Sequence, residues 1–205
     1  MHLVDQRTVG IAMLVVLASI VIVKRAATGS IMRDTPTGGV WLSVVHAFNL
    51  FFLLVANPLA AALLVAPHFE VFDRTHVTIA PRSVLIGLEV GGGLLYIAGF
   101  ALMGWALMAL RGSYQAGGTA PRATDGMTTS GPYALVRHPM YAAALAISLG
   151  LACLVQSLAY FAVFCVYVAM MIWLIPFEEA RLRKAYGERY VAYQQIVHCL
   201  IPFLL

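Results

Sequence analysis

Charge is scarce in this chain. Only 11% of its 205 residues are Asp, Glu, Lys or Arg, while 61% are hydrophobic. A soluble domain carries roughly a quarter charged residues, so there is too little polar surface here to cover a water-soluble globule. Cysteine is scarce too. Cys153, Cys165 and Cys199 have neither metal nor disulfide spacing, and two of them lie in apolar runs, where cysteine acts as a small hydrophobe. There is no HExxH, Walker or Rossmann glycine pattern, which removes the usual zinc-hydrolase, nucleotide-hydrolase and dinucleotide readings. The net charge is a modest +4, with arginines dispersed among apolar runs. A cationic membrane face explains that better than nucleic acid does. The first apolar run lacks a small-residue cleavage site and is followed by Lys24 and Arg25, so it reads as a retained anchor. Without internal repeats or low-complexity linkers, residues 1–205 read as a single membrane domain.

What the chain has is long apolar runs, and about 20 apolar residues cross the hydrocarbon core as a helix. Residues 8–23, 40–67 and 83–110 are three candidates, the second with a kink expected at Asn57-Pro58. Residues 141–175 are too many for one crossing. Gln156-Ser157 near their middle divides them into a helical hairpin, spans four and five. After Pro176 the chain turns charged and amphipathic. The expected fold is therefore all-α: a five-helix transmembrane bundle with a cytoplasmic amphipathic C-terminal segment.

Five spans put Lys24, Arg25, Arg33, Arg111, Arg122, Arg137, Arg181, Arg183, Lys184 and Arg189 on one side, and only Arg7, Arg74 and Arg82 on the other. That asymmetry satisfies the positive-inside rule with the tail in the cytoplasm. It places the loop before span four and the tail on one face. Gly87 and Gly91 form a GxxxG pattern, which reads as close helix packing.

The chemistry-bearing segment runs from Ser130 to Tyr141. Gly131-Pro132 signals a turn. Pro139 disfavours helix at His138 and suits the first helical position, so Arg137 and His138 stand at the cytoplasmic start of span four. Such a helix end favours an anion. Arg137 can bind a carboxylate in bidentate fashion, and Tyr133 and Tyr141 offer faces for a cation or a base. These types suit a zwitterionic cofactor with a carboxylate, a purine and a sulfonium. They equally suit interfacial anchoring. The second feature is Glu178-Glu179 where span five leaves the membrane. This pair can take ribose hydroxyls or face a cation, or simply form an i,i+4 pair from Glu179 to Arg183. Beyond it, Tyr186, Tyr190, Tyr193 and Val197 share one helical stripe, which Gly187 can interrupt.

Taken in order, Gly-Pro-Tyr, Arg-His-Pro-x-Tyr, an apolar hairpin, Glu-Glu and Tyr-Gly-x-x-Tyr-x-x-Tyr resemble the isoprenylcysteine carboxyl methyltransferase family and its phospholipid methyltransferase relatives. The resemblance covers residues 110–202, a methyltransferase-like catalytic half. It implies S-adenosylmethionine as cofactor in a cytoplasmic pocket, and a lipophilic acceptor arriving from the bilayer. It also implies Gly131, Tyr133, Arg137, His138, Pro139, Tyr141, Glu178 and Glu179 as the cofactor site. Arg137, His138 and Glu179 would be the catalytic group, with His138 or Glu179 as base for a neutral acceptor. Family members often have glycine where this chain has Ala142-Ala143-Ala144. Its carboxyl methyltransferases commonly place arginine four residues before Glu-Glu, where Leu174 stands, so another acceptor atom is open.

Two other readings compete. One is an NADPH-dependent membrane reductase of related fold, for which the chain is short and lacks an obvious site for the extra phosphate. The other is a non-enzymatic transporter or scaffold, with Glu89 inside span three as its main feature. His46 and Asn49 are possible partners for Glu89. His68, Glu70, Asp73 and His76 form a polar loop on the outer face that reads as solvated; no metal site is expected.

Overall fold

A computed structural model describes residues 5–29, 39–66, 73–110 and 126–201. Among them the chain is all-helical, with isolated bridges and no strands. In order come α1 (Gln6–Thr28), α2 (Val40–Phe51), a π-turn (Phe52–Ala56) running directly into α3 (Asn57–Val65), and α4 (Arg82–Leu110). A 3₁₀ turn (Gly131–Ala134), α5 (Pro139–Val155), α6 (Leu158–Tyr186) and α7 (Glu188–Ile196) follow. Among the described residues four stretches are long and apolar enough to cross a membrane: Gln6–Ala27, Val40–Val65, Arg82–Leu110 and Leu158–Tyr186. The apolar helix α5 is shorter.

Local chemistry sets the helix ends. Asp5 caps α1, accepting from the Thr8 amide at 2.9 Å, and Gly29 closes it in the left-handed region at φ 72°. These caps carry α1 beyond the 8–23 run at both ends. The expected irregularity at Asn57-Pro58 takes the form of the π-turn. Pro58 has no N–H and its ring crowds the carbonyl of Leu54. Widening the preceding turn relieves this, and the Asn57 amide reaches back to the Phe52 carbonyl. Asn57 is itself buried. Its Nδ2 donates to Ser148 Oγ at 3.3 Å, and Tyr160 Oη donates to its Oδ1, so one amide ties α3, α5 and α6 together. Phe52 stacks on Tyr167 at 4.1 Å between ring centroids.

The hairpin break falls where the sequence places it. Gln156 is left-handed at φ 54°, and Ser157 caps α6 by accepting from the Tyr160 amide. The loop before α4 docks on this turn: Val77 N–H donates to Gln156 O at 2.9 Å and Leu158 N–H to Thr75 O at 3.1 Å. Asp73 accepts from the Thr75 amide and hydroxyl, so half of the polar loop is a structural brace. His68 and Glu70 lie outside the described residues. The apolar run ends at Ile175, but the helix passes through Pro176 and continues to Tyr186. Pro176 and Ile172, whose carbonyl loses its partner, are both exposed, so no core packing opposes the defect.

Glycine packing also differs from the pattern read in the sequence. A Cβ added to Gly87 or Gly91 would meet nothing within 4 Å. The close approach uses Gly92 and Gly99 of α4 against α5. A Cβ on Gly150 would fall 2.5 Å from the Gly92 carbonyl oxygen, and one on Gly99 2.8 Å from the Ile147 amide. The face is set by the seven-residue step from 92 to 99, which stays on one side of a helix. Gly150→Leu is therefore expected to destabilise by about 3 kcal/mol. Gly87→Leu should stay within about 0.5 kcal/mol of the parent. Thermal unfolding in one detergent compares them directly.

Candidate cofactor site

The start of α5, the last turns of α6 and the segment after α7 converge at one end of the bundle. Pro139 opens α5 with His138 as the preceding, non-helical residue. Glu178 and Glu179 ride on α6 because that helix passes Pro176 intact. Gly187, at φ 60° and ψ −140°, then stops α6 and lets α7 fold back. This return delivers 197–199 to the start of α5. Arg137 N–H donates to His198 O at 2.7 Å and His138 N–H to Cys199 O at 3.0 Å.

Glu179 is the hub. It is buried and receives Arg137 Nε on Oε1 at 2.7 Å, with His138 Nε2 3.3 Å from the same oxygen. Gln194 Nε2 donates to its Oε2 at 2.8 Å. The pair expected in the sequence, Glu179 with Arg183, is the loosest at 4.0 Å. Arg137 Nη1 also donates to the Gln194 and Val197 carbonyls. Burial works against the Arg137 charge, but the Glu179 carboxylate outweighs it and holds the guanidinium pKa above its ordinary value.

Glu178 differs. Tyr141 Oη donates to its Oε2 at 2.6 Å, and His138 Nδ1 lies 3.9 Å away. Its side chain keeps 22% of its surface exposed against 9% for Glu179, so it is the carboxylate with room for a ligand. The His138 and Tyr141 rings stack nearly parallel, 5.4 Å apart at 7°, fixing both side chains over the Glu-Glu pair.

The remaining sequence-read residues form a flank. Tyr133 is buried, and its carbonyl accepts from Tyr193 Oη. Burial pushes the Tyr193 phenol up to about 12, so it remains a donor at neutral pH. Gly131 is left-handed at φ 63° and lies against Trp105; an added Cβ would sit 3.3 Å from the indole nitrogen. It shapes the backbone at the end of α4 and adds no group to the Glu179 network. Within the tyrosine stripe, Tyr190 and Val197 are buried as the pattern requires. Tyr186 belongs to the preceding helix, because Gly187 separates the two.

Sequence reasoning missed Gln194 and the carbonyls of Val197, His198 and Cys199. Backbone acceptors carry no residue signature, and Gln194 follows Tyr193 without a motif. Two features read for an anion are smaller than expected. Two guanidinium nitrogens of Arg137 are engaged by protein oxygens, leaving Nη2. Pro139 has no N–H, and the Tyr141 and Ala142 amides both donate to the His138 carbonyl. Among the first four α5 residues only the Met140 amide stands outside these bonds.

His138, Glu179 and Cys199 offer ligand atoms within 4.8 Å of one another. Glu179 already neutralises a guanidinium, and a divalent ion would stand beside that cation. Burial, then the Glu179 charge, pushes the Cys199 thiol up, so it is a neutral thiol and a poor metal ligand. The trio is an internal network.

Residues 88–189 match the family model for phospholipid methyltransferases. This segment belongs to that methyltransferase family. It begins inside α4, earlier than the motifs alone indicate, and takes in Arg137, His138 and the Glu-Glu pair. The fold is similar to that of a eukaryotic intramembrane Ras methyltransferase, isoprenylcysteine carboxyl methyltransferase, solved without a monobody. The TM-score is 0.50 at 18% identity, over 80% of this chain and 74% of that one. No curated protein matches in sequence. Both findings bear out the resemblance read from the motifs, and the methyltransferase-family segment lies in an integral membrane protein. Neither points to a reductase or a transporter.

Proposed function

We propose that this protein is an S-adenosylmethionine-dependent methyltransferase acting on a lipophilic acceptor. The observation that carries the reading is the joining of two distant motifs, Arg-His-Pro-x-Tyr and Glu-Glu, through Arg137–Glu179 and Tyr141–Glu178. S-adenosylmethionine supplies an electrophilic methyl group on a sulfonium. The residues present fit such a cofactor: the Glu178 carboxylate suits ribose hydroxyls or a cationic centre, the stacked His138 and Tyr141 rings offer aromatic surface, and Arg137 Nη2 and the Met140 amide suit a carboxylate. Methyl displacement needs orientation and desolvation more than covalent help. In this reading Arg137 and Glu179 hold the α5 start, the α6 end and residues 194–199 in register, while Glu178 and Tyr141 make the polar contacts. His138 is the base when the acceptor is a neutral amine or thiol. Residues 110–202 form the catalytic half. The charge asymmetry supports five spans, with α5 and α6 as the hairpin and the site facing the cytoplasm.

Leu174 bears on the acceptor. It is fully buried and packs in the core cluster with Tyr167 and Met171. A desolvated carboxylate without a cation costs several kcal/mol, and leucine supplies none. Wild type is expected to methylate lipophilic thiols or amines at least as well as the free acid of a prenylcysteine analogue. Methyl transfer from radiolabelled S-adenosylmethionine to this panel checks the point. Strong selectivity for the free carboxylate would overturn the acceptor assignment and leave the cofactor assignment standing.

A further inference from the structure

Three polar atoms stand unpartnered along the seam between α2 and α6. Tyr167 Oη of α6 is fully buried and has no hydrogen-bond partner among the described residues; neither have His46 Nδ1 and Asn49 Oδ1 of α2. Ring contacts fix the register of the seam. Trp41 meets Trp173 at 5.6 Å, and Phe52 stacks on Tyr167 at 4.1 Å. The two helices therefore run antiparallel, with His46 and Asn49 between these contacts. Asn49 shares a helix face with Val45 and Phe52, both fully buried. His46 lies within electrostatic reach of Lys24 near the end of α1, whereas Glu89 lines a groove with Gln6 at its start, so His46 and Glu89 are not partners. Tyr160 supplies the contrast. It also stacks on Phe52, but its hydroxyl donates to Asn57 Oδ1. A phenylalanine at 167 would make the same stack without a buried hydroxyl to satisfy.

Buried polar groups in proteins are almost all bonded, and each one left out costs stability. At membrane depth no bulk water stands in for the missing partner. The atoms select the guest by their chemistry. Asn49 Oδ1 only accepts and Tyr167 Oη donates, so a hydroxyl satisfies both and a hydrocarbon satisfies neither. The seam has a way in, because His46 and Asn49 are only half-buried. The π-turn Phe52–Ala56 directly beyond is a weak joint on which α2 can tilt away from α6. Toward the cofactor end, Trp173 packs on Phe177 at 4.3 Å, next to Glu178. Tyr167 lies about 16 Å along α6 from Glu178.

We propose that the α2–α6 seam selects the acceptor, taking a lipophile that carries a hydroxyl within its apolar body. The hydroxyl donates to Asn49 and accepts from Tyr167, with His46 one turn nearer the reacting end. The inference rests on the reading above that the acceptor is lipophilic and meets the cofactor at Glu178. Less the reach of the side chains, it puts the hydroxyl about 12 Å from the methylated atom. The probes are two alkyl methyl thioethers of equal length, one with a single hydroxyl about 12 Å from sulfur and one without. Their binding to the full chain in detergent, without cofactor, is read by thermal stabilisation and does not depend on methyl transfer. Wild type is expected to bind the hydroxylated probe about tenfold more tightly. Tyr167→Phe should lose that preference. Without probe it should unfold at or above the parent's temperature, because it removes an unpartnered hydroxyl. Asn49→Leu should lose the preference too, whereas Ser43→Ala on the exposed side of α2 should keep it. Equal binding of both probes by wild type, or a preference that survives Tyr167→Phe, would overturn the proposal. So would a probe-free Tyr167→Phe protein that unfolds well below the parent, since the hydroxyl would then have a structural partner. The predicted preference in a protein that does not bind S-adenosylhomocysteine would support the seam site and overturn the cofactor reading alone.

Discussion

Glu179→Ala is expected to lower stability by roughly 3–5 kcal/mol, the range for removing one partner of a buried ion pair. The side chains of Arg137 and Glu179 keep only 13% and 9% of their surface. Removing the carboxylate leaves the guanidinium buried with carbonyls alone and strips Gln194 of its acceptor. The loss spreads because Arg137 also anchors residues 194 and 197. The segment after α7 should become accessible to protease while the apolar helices stay protected. Glu179→Gln keeps an acceptor oxygen and should lose less than half as much. Unfolding curves in detergent, with limited proteolysis of the tail, test both parts. A Glu179→Ala protein as stable as the parent would show that this ion pair does not hold the two motifs together.

Glu178→Gln should do the reverse. Its side chain keeps 22% of its surface and is tied to the protein through Tyr141, so the fold should lose at most about 1 kcal/mol. In the proposed site its contact with the cofactor would be worth far more. A hydrogen bond to a charged group contributes about 1.5–3 kcal/mol, and losing it should raise the KM for S-adenosylmethionine roughly 10- to 100-fold. Tyr141→Phe frees the carboxylate without removing it and should have a smaller effect in the same direction. Initial methyl-transfer rates over a range of cofactor concentrations measure this. An unchanged KM in Glu178→Gln would remove Glu178 from the cofactor site. The expected contrast between neighbouring acids is a loss of stability for Glu179 and a loss of affinity for Glu178.

The membrane fold was legible because scarcity of charge and the length of apolar runs leave few architectures. The hairpin turn at Gln156-Ser157 was legible for the same reason, since one run held two helices and only one polar step. The π-turn was legible as an irregularity at Pro58, without its form, because the relief of a proline clash depends on what packs around it. Pro176 leaves α6 unbroken, as its defect lies on an exposed face and costs the helix little. The GxxxG pattern at Gly87 and Gly91 misled because a glycine pair gives spacing but not the direction of its partner. At the site, Arg137, His138, Tyr141, Glu178 and Glu179 were legible as rare polar types at helix ends. Their bonding was not. The return of α7 brings backbone carbonyls and Gln194 to Arg137, and neither has a signature in the chain.

We propose that the end of the bundle built around Glu178 and Glu179 binds S-adenosylmethionine. Titration of the purified wild-type protein with S-adenosylhomocysteine, and separately with NADPH, tests it most directly. Saturable binding of S-adenosylhomocysteine, weakened in Glu178→Gln and absent for NADPH, is the predicted result. Binding of NADPH, or no binding of S-adenosylhomocysteine by a folded protein, would contradict it.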